Sequence, residues 1–169
     1  ITNSYVSVDM SAAANVAGFV GVNNGKISSC FVRESMIINK SSNSSHKTAG
    51  FAIKNGASAN SNAAISGCYV AGTTSTSSIY SVSPEKSISS MPMVAGFVYS
   101  NFNSIQDSYS DILINTSSIC AGFVKENSGH IARAYTTSTF SNPGQEAYIF
   151  VQSNRIDGGT LGTLCYFGF

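Results

Sequence analysis

The chain of 169 residues carries few charged side chains: nine Lys and Arg and eight Asp and Glu give 10% charged residues and a formal net charge of +1. An average globular protein has about 25% charged residues. This scarcity argues against an electrostatic nucleic-acid binder, which needs a concentrated basic face. No run approaches the ~18 consecutive apolar residues of a membrane-spanning helix, so we expect no transmembrane segment.

Motifs that carry chemistry are also missing. No Cys-x-x-Cys or Cys/His cluster has zinc-ligand spacing, no His-Glu-x-x-His occurs, and no Gly-x-Ser-x-Gly elbow surrounds any of the 31 serines. We therefore expect no metal and no cofactor. The four cysteines, Cys30, Cys68, Cys120 and Cys165, are expected to be buried free thiols. Because Cys30 and Cys68 occupy equivalent repeat positions, a disulfide bond between them is the alternative to two free thiols.

Polar uncharged residues are abundant where charged residues are scarce. Serine, asparagine and threonine (31, 15 and 11 residues) make up a third of the chain. These residues are poor helix formers because their side chains compete for backbone hydrogen bonds. A hydrophobic content of 43% is nevertheless too high for a disordered chain. The composition favours a folded protein that is not helical.

The sequence is built on an internal repeat. Ala-Gly-Phe-(Val/Ala) occurs at residues 17–20, 49–52, 95–98 and 121–124, and each copy is followed by a polar turn with Asn. An Ile then precedes a small residue and an aromatic one. The aromatic markers are Tyr5, Phe31, Tyr69, Tyr109, Tyr135 and Tyr166, at spacings of 26, 38, 40, 26 and 31 residues. This pattern predicts a 26-residue unit, lengthened by insertions in some copies.

The ordered pieces of each unit are short, β-branched and aromatic, which indicates strands separated by turns. We therefore predict an all-β fold, a parallel (right-handed) β-helix of about five to six coils with inserted loops. Equivalent residues of successive coils would then stack. The predicted structural columns are Phe19, Phe51, Phe97 and Phe123; Ile27, Ile65, Ile105 and Ile131; and an amide ladder of Asn24, Asn55 and Asn127.

Residues 17–31, Ala-Gly-Phe-Val-Gly-Val-Asn-Asn-Gly-Lys-Ile-Ser-Ser-Cys-Phe, resemble the GLUG repeat, as do residues 121–135. The usual form of that repeat is Gly-Gly-Leu-Val-Gly-x-Asn-x-Gly-x-Ile-x-Asn-x-Tyr. Here Ala replaces the first Gly and Phe replaces Leu. GLUG repeats occur in large secreted or surface bacterial proteins, including adhesin-like proteins and the non-catalytic part of some IgA-cleaving metallopeptidases. The resemblance implies a β-solenoid scaffold, an extracellular or cell-surface location and a larger parent chain, and it brings no catalytic residue.

We expect repeats over residues 1–140, with copies near 1–6, 17–32, 49–70, 95–110 and 121–136, and a degenerate final coil or cap over 141–169. The chain opens within a repeat, so we interpret it as a fragment. Two stretches interrupt the period, residues 33–48 and 72–92, and solenoid insertions often carry function. The basic residues in and beside the first stretch are candidates for binding a glycan or host protein: Arg33, Lys40, His46, Lys47 and Lys54.

Three functions are compatible with the sequence. The leading interpretation is a non-catalytic scaffold that displays loops for host-surface or glycan contact. The second is a carbohydrate-active β-helix enzyme, which would need acids and a base on one face. Its candidates are Asp107, Asp111, Glu126 and Arg133, and if they are not catalytic they are solvated turn charges. The third is a structural spacer that self-associates through its exposed coil ends.

Overall fold

The structure is a computed structural model. It describes residues 1–33, 35–41, 43–58, 61–72, 78–81, 92–141, 146–154, 159–162 and 166–167. The described residues form 26 short β-strands and no helix, and all strand pairs are parallel. The chain is a parallel β-helix, as the repeat predicts.

Each coil contributes one strand to each of five sheets, which we number I to V in the order in which the chain visits them. Sheet I contains β1 (Tyr5–Val6), β6 (Phe31–Arg33), β11 (Tyr69–Ala71), β16 (Tyr109–Asp111), β21 (Tyr135–Thr136) and β26 (Tyr166–Phe167). Sheet II contains β2 (Met10–Ala12), β7 (Met36–Asn39), β12 (Ser78–Ser81), β17 (Leu113–Thr116) and β22 (Thr139–Ser141). Sheet III contains β3 (Val16–Ala17), β8 (Lys47–Ala49), β13 (Met93–Ala95), β18 (Cys120–Ala121) and β23 (Ala147–Tyr148).

Sheet IV contains β4 (Val20–Asn23), β9 (Ala52–Asn55), β14 (Val98–Asn101), β19 (Val124–Asn127) and β24 (Val151–Asn154). Sheet V contains β5 (Lys26–Ser28), β10 (Ala64–Ser66), β15 (Ser104–Gln106), β20 (His130–Ala132) and β25 (Thr160–Leu161). Coil 1 is β1–β5, coil 2 is β6–β10, coil 3 is β11–β15, coil 4 is β16–β20 and coil 5 is β21–β25. β26 begins a sixth coil, so the predicted number of five to six is confirmed.

The core consists of side-chain columns that run along the solenoid axis. The phenylalanine rings stack with centroid distances of 4.8, 4.9, 4.8 and 5.0 Å, in the order Phe19, Phe51, Phe97, Phe123 and Phe150. A second column is formed by the buried Ile27, Ile65, Ile105 and Ile131, which are in register, and it ends at the exposed Leu161. Each fully buried Phe or Ile contributes roughly 1.5–3 kcal/mol, so both predicted columns stabilise the fold.

A ladder of amides, buried except at the exposed Asn154, follows sheet IV. Its Nδ2-to-Oδ1 hydrogen bonds of 2.9, 2.8, 2.7 and 2.7 Å join Asn23, Asn55, Asn101, Asn127 and Asn154 in that order. The prediction of Asn24 as its first member is wrong. Asn23 is the last residue of β4 and pairs with Asn55 in register, whereas Asn24 is exposed in the following turn.

The glycine of Ala-Gly-Phe is required by a close approach between coils. A Cβ atom on Gly96 would lie 1.9 Å from the carbonyl oxygen of Gly122 in the next coil, and one on Gly18 would lie 2.2 Å from that of Gly50. The φ angle is not the reason, because among the described glycines only Gly56 and Gly67 have a positive φ. This packing role agrees with the repetition of the motif in coils 1 to 4, each of which has a further coil stacked on it.

The structure corrects the borders of both predicted insertions. Residues 33–48 include β7 and β8, so the added residues of this stretch lie within 40–46. Asn39 is in register with Thr116 and Thr48 with Cys120, so coil 4 has only residues 117–118 in the place of 40–46. Coil 2 has a second addition, residues 56–63 between β9 and β10, which the repeat pattern does not predict. The other stretch, 72–92, contains β12, which pairs with β7 and β17. The rest of that stretch, residues 73–77 and 82–91, lies outside the described residues.

The described part of residues 141–169 continues the coil, with β23, β24 and β25 in register on coil 4. Cys30, Cys68 and Cys120 are buried free thiols. The amide of Cys30 donates to Sγ of Cys68 (3.4 Å), and the amide of Cys68 donates to Oγ of Ser108 (3.2 Å), so equivalent positions of three coils are linked. Cys165 lies outside the described residues.

Candidate functional site

Two of the four catalytic candidates form an ion pair where sheet V leads into sheet I. Nε of Arg133 lies 2.6 Å from Oδ1 of Asp107, and Nη2 donates to Oδ2 (2.7 Å) and to Gln106 (3.3 Å). The two charged side chains are 49% and 50% exposed. Hydrogen bonds from the guanidinium lower the pKa of Asp107, and hydrogen bonds to the carboxylate raise the pKa of Arg133. The pair is therefore a bidentate surface contact between coils 3 and 4.

The other two catalytic candidates, Asp111 and Glu126, lie on two different sheets. Asp111 is exposed at the end of β16 in sheet I. Glu126 lies in β19 of sheet IV and accepts a hydrogen bond from the hydroxyl of Ser100 (3.0 Å). Hydrogen bonds thus join only Asp107 and Arg133 among these four described residues, and the convergence that a polysaccharide-cleaving site requires is not found. The described residues also contain no group of three or more His, Cys, Asp and Glu side chains suited to a metal ion.

The five predicted binding residues are spread over several faces. The Arg33 guanidinium lies over the rings of Tyr5 and Phe31, at 5.2 and 5.6 Å from their centroids. His46 Nδ1 is 2.6 Å from Oγ of Ser41, a hydrogen bond between two residues of the connection from β7 to β8. The three lysines among the five lie at different strands: Lys40 is exposed after β7, Lys47 begins β8, and Lys54 lies in β9. The structure does not assemble these residues into one basic patch.

An aromatic ladder follows the outside of sheet I. Its rings stack at centroid distances of 5.3, 4.8, 4.8 and 4.8 Å, within 9° of parallel, in the order Tyr5, Phe31, Tyr69, Tyr109 and Tyr135. Among the described rings the first and the last are the most exposed, at 59% for Tyr5 and 40% for Tyr135. Since the ring faces pack on one another, the ladder presents ring edges to its surroundings.

A second hydrophobic cluster lies outside the core, where sheet III turns into sheet IV. It consists of Ala49, Ile53, Ala95 and Tyr99, with Ala17 and Met93 packed against it. Along these strands the cluster residues alternate with core residues such as Val94 and Val98. Side chains that alternate with core residues point outward. Because they still bury one another, the outer faces of sheets III and IV meet in a re-entrant corner.

Two lysines cover the tyrosine in this corner. Lys47 Nζ lies 4.6 Å and Lys125 Nζ lies 5.7 Å from the centroid of the Tyr99 ring, and the Tyr99 hydroxyl contacts Sδ of Met93 at 3.7 Å. Tyr99 belongs to coil 3, whereas Lys47 reaches it from coil 2 and Lys125 from coil 4. We name these four residues, Lys47, Met93, Tyr99 and Lys125, the lysine–tyrosine cleft.

The electrostatics of the lysine–tyrosine cleft follow from its burial. Burial raises the pKa of Tyr99 well above its ordinary range, and the carboxylate of Glu126 raises it further. Burial also lowers the pKa of Lys125, and the nearby charge of Lys47 acts in the same direction. The carboxylates of Glu126 and Glu146 oppose this shift. The cleft therefore holds two repelling ammonium groups beside a tyrosine that stays neutral at physiological pH.

Sequence reasoning identified Lys47 but missed Tyr99 and Lys125. The signal that could have identified them is a variable position in the repeat. It follows directly after Phe-(Val/Ala) and lies two residues before the Asn of the amide ladder. Successive coils place Gly21, Ile53, Tyr99, Lys125 and Gln152 there. A position that varies within a constant repeat, next to a core residue, is an outward position where individual coils can differ.

Comparison of the chain with models of protein families, with curated proteins and with solved structures gave no match. The GLUG resemblance therefore rests on the residues of the repeat alone. Within the described residues, no helix has the length and apolar character needed to cross a bilayer.

Proposed function

We propose that the chain is a non-catalytic β-solenoid segment of an exported bacterial surface or secreted protein, such as an adhesin or toxin, and that it presents its outer faces to a host-surface protein or glycan. The bacterial and extracellular parts of this proposal rest on the resemblance of residues 17–31 and 121–135 to the GLUG repeat. The stacked coils support the scaffold part, because hydrogen-bonded rungs and buried columns hold the outer side chains at fixed spacings.

The observation that carries the proposal is the aromatic ladder on sheet I. A β-helix is stabilised by its inner columns, and this chain already has Phe and Ile columns inside. A second aromatic column on the outside, with Tyr5 and Tyr135 widely exposed, adds a surface of the composition typical of protein interfaces. Aromatic residues are enriched among the side chains that contribute most to binding. Display of a surface is therefore the function that this geometry favours.

The decisive experiment measures binding of the purified chain to a broad glycan panel and to host cells. The variant Tyr69→Ser/Tyr109→Ser removes two central rings of the ladder, and Asn115→Ala on sheet II is the matched control. We expect at least a tenfold loss of binding in the double variant and none in the control, with unchanged far-UV circular dichroism in both. Absence of binding by the unaltered chain, or equal binding by all three proteins, contradicts the proposal.

A second variant tests the 40–46 turn, which contains Lys40 and His46 and precedes Lys47. Replacing this turn by the two-residue length of residues 117–118 should leave strand pairing intact, since coil 4 makes the same connection with that length. Weaker binding to the same panel would add the turn to the binding surface. Unchanged binding would remove Lys40 and His46 from it and leave the aromatic ladder as the contact face.

A further inference from the structure

The outside of sheet I carries two rows of side chains that run along the solenoid axis. One row is the aromatic ladder. The other lies two positions further along each strand and contains Arg33 of coil 2, Ala71 of coil 3 and Asp111 of coil 4, which are in register. The residues between the two rows, such as Val32 and Val70, belong to the core, so both rows point outward. We name the second row the charged row.

The two charges of the charged row are kept apart within one chain. Arg33 and Asp111 are separated by two coils, about 10 Å at the usual spacing of neighbouring strands. The Arg33 guanidinium leans the other way, over the rings of Tyr5 and Phe31. Both charged residues are exposed, and no ion pair joins either of them to another described residue. Each charge is therefore accessible to a partner that lies on this face.

The charged row is complementary to itself when a second copy is turned end for end. A twofold axis perpendicular to the solenoid at Ala71 places Arg33 of each copy opposite Asp111 of the other, as an isologous interface requires. Packing with parallel solenoid axes instead places Arg33 opposite Arg33 and Asp111 opposite Asp111, and like charges across an interface repel. The charges thus favour the antiparallel arrangement of two copies.

The aromatic ladder supplies the apolar part of such a contact. Its rings repeat at 4.8 to 5.3 Å and lie within 9° of parallel, so the face is flat along the axis. A second copy has the same repeat, so the ring edges of two ladders meet at every coil. The face is only about 20 Å long and about 10 Å wide, and interfaces well below about 1,200 Å² are weak. The contact is therefore reversible.

We propose that two copies of the chain pair side by side and antiparallel through sheet I, with the twofold axis at Ala71 and an Arg33–Asp111 ion pair on each side of it. This inference goes beyond the proposed function. Because the pairing covers the aromatic ladder, a host ligand bound there and a second copy exclude each other. Binding to host cells or glycans is then strongest at concentrations where the chain is a monomer.

The test is sedimentation velocity of the full chain from about 10 µM to about 1 mM. The variants are Arg33→Asp, Asp111→Arg and an equimolar mixture of the two, and Lys26→Asp makes a matched charge change on the exposed side of sheet V. We expect the unaltered chain and the control to pair equally. Each single variant should pair at least tenfold more weakly, because it brings like charges together on both sides of the axis. The mixture should regain the pairing, since one native and one reversed ion pair then form.

Four results overturn the inference. The first is a monomer throughout the series, and the second is equal pairing of the unaltered chain and both single variants, as a contact between coil ends would give. The third is a mixture that fails to pair. The fourth is Arg33→Asp pairing more tightly with the unaltered chain than the unaltered chain pairs with itself, which indicates parallel packing.

Far-UV circular dichroism establishes that each variant is folded. If a single variant does not fold, the salt dependence of the unaltered chain decides, because exposed ion pairs weaken as salt is added. Pairing that is unchanged at about 1 M NaCl then overturns the inference. A chain that pairs but binds neither cells nor any glycan refutes the proposed function alone, whereas a chain that binds them and never pairs refutes this inference alone.

Discussion

The amide ladder is the feature whose removal tests the stacking most directly, and Asn101→Ala is the sharpest perturbation. The Asn101 side chain donates to Oδ1 of Asn127 (2.7 Å) and to the carbonyl oxygen of Asn103 (2.9 Å). Its Oδ1 accepts from Nδ2 of Asn55 (2.8 Å) and from the amide of Asn103 (3.3 Å). The side chain is 1% exposed, so water does not replace these partners in the folded state.

The magnitude follows from what each partner retains. After truncation, Nδ2 of Asn55 still donates to the carbonyl oxygen of Ser104 (3.0 Å), and Oδ1 of Asn127 still accepts from the amide of Gly129 (3.2 Å). Four hydrogen bonds are lost, each worth about 0.5–1.5 kcal/mol, and the amide of Asn103 loses its side-chain acceptor. We expect Asn101→Ala to lower the free energy of unfolding by about 3–5 kcal/mol.

The assay is urea unfolding followed by far-UV circular dichroism, with Asn24→Ala as the control. Asn24 is the exposed neighbour of the first ladder residue, and its truncation should change the free energy of unfolding by less than about 0.5 kcal/mol. A loss below about 1 kcal/mol for Asn101→Ala, or equal losses in both variants, would refute the reasoning that the buried amide ladder stabilises the coils.

Three further predictions test the packing and the charged groups. Gly96→Ala should lower the free energy of unfolding by about 3 kcal/mol, because the added Cβ would lie 1.9 Å from a backbone oxygen. Gly21→Ala, which has open space around it, should change the free energy of unfolding by less than ~1 kcal/mol. Thermal unfolding of both variants checks this. Burial raises the pKa of Cys68 from 9.0 to about 11, so its alkylation at pH 8, followed by peptide mass spectrometry, should be at least ~100-fold slower in the folded chain than in urea; equal rates would contradict its burial. Arg133→Gln should return the pKa of Asp107 towards 3.8 in an NMR titration. Because folding lowers this pKa, the ion pair stabilises the native chain above pH 3.8 and the effect is lost as pH falls through the lowered value.

The repeat predicted the architecture because stacked coils place chemically equivalent residues at equal positions. Phe51 and Ile65 recur for the same physical reason, burial against the same neighbours above and below. A side chain that must fit between identical partners changes little between coils, and such constancy is visible in a single sequence. The all-β class followed from the same spacing together with the scarcity of helix-forming residues.

The borders of the insertions and the lysine–tyrosine cleft could not be predicted from the repeat. The ladder begins at Asn23 because β4 ends there, and the adjacent Asn24 gives the sequence no means of choosing between the two. Tyr99 and Lys125 come together through their strand positions in different coils, while Lys47 arrives from another sheet. Their contact depends on the re-entrant corner, whose angle no periodicity of apolar residues encodes.

The inter-coil hydrogen bonds have a mechanical consequence, because they run along the solenoid axis. Tension applied between the two ends loads the rungs of the terminal coil first, so coils peel off one after another instead of failing together. A 26-residue coil, such as that between the register partners Tyr109 and Tyr135, pays out about 90 Å of extended chain. Each released coil thus lengthens the chain by one step and dissipates mechanical work, so extension under load would proceed coil by coil.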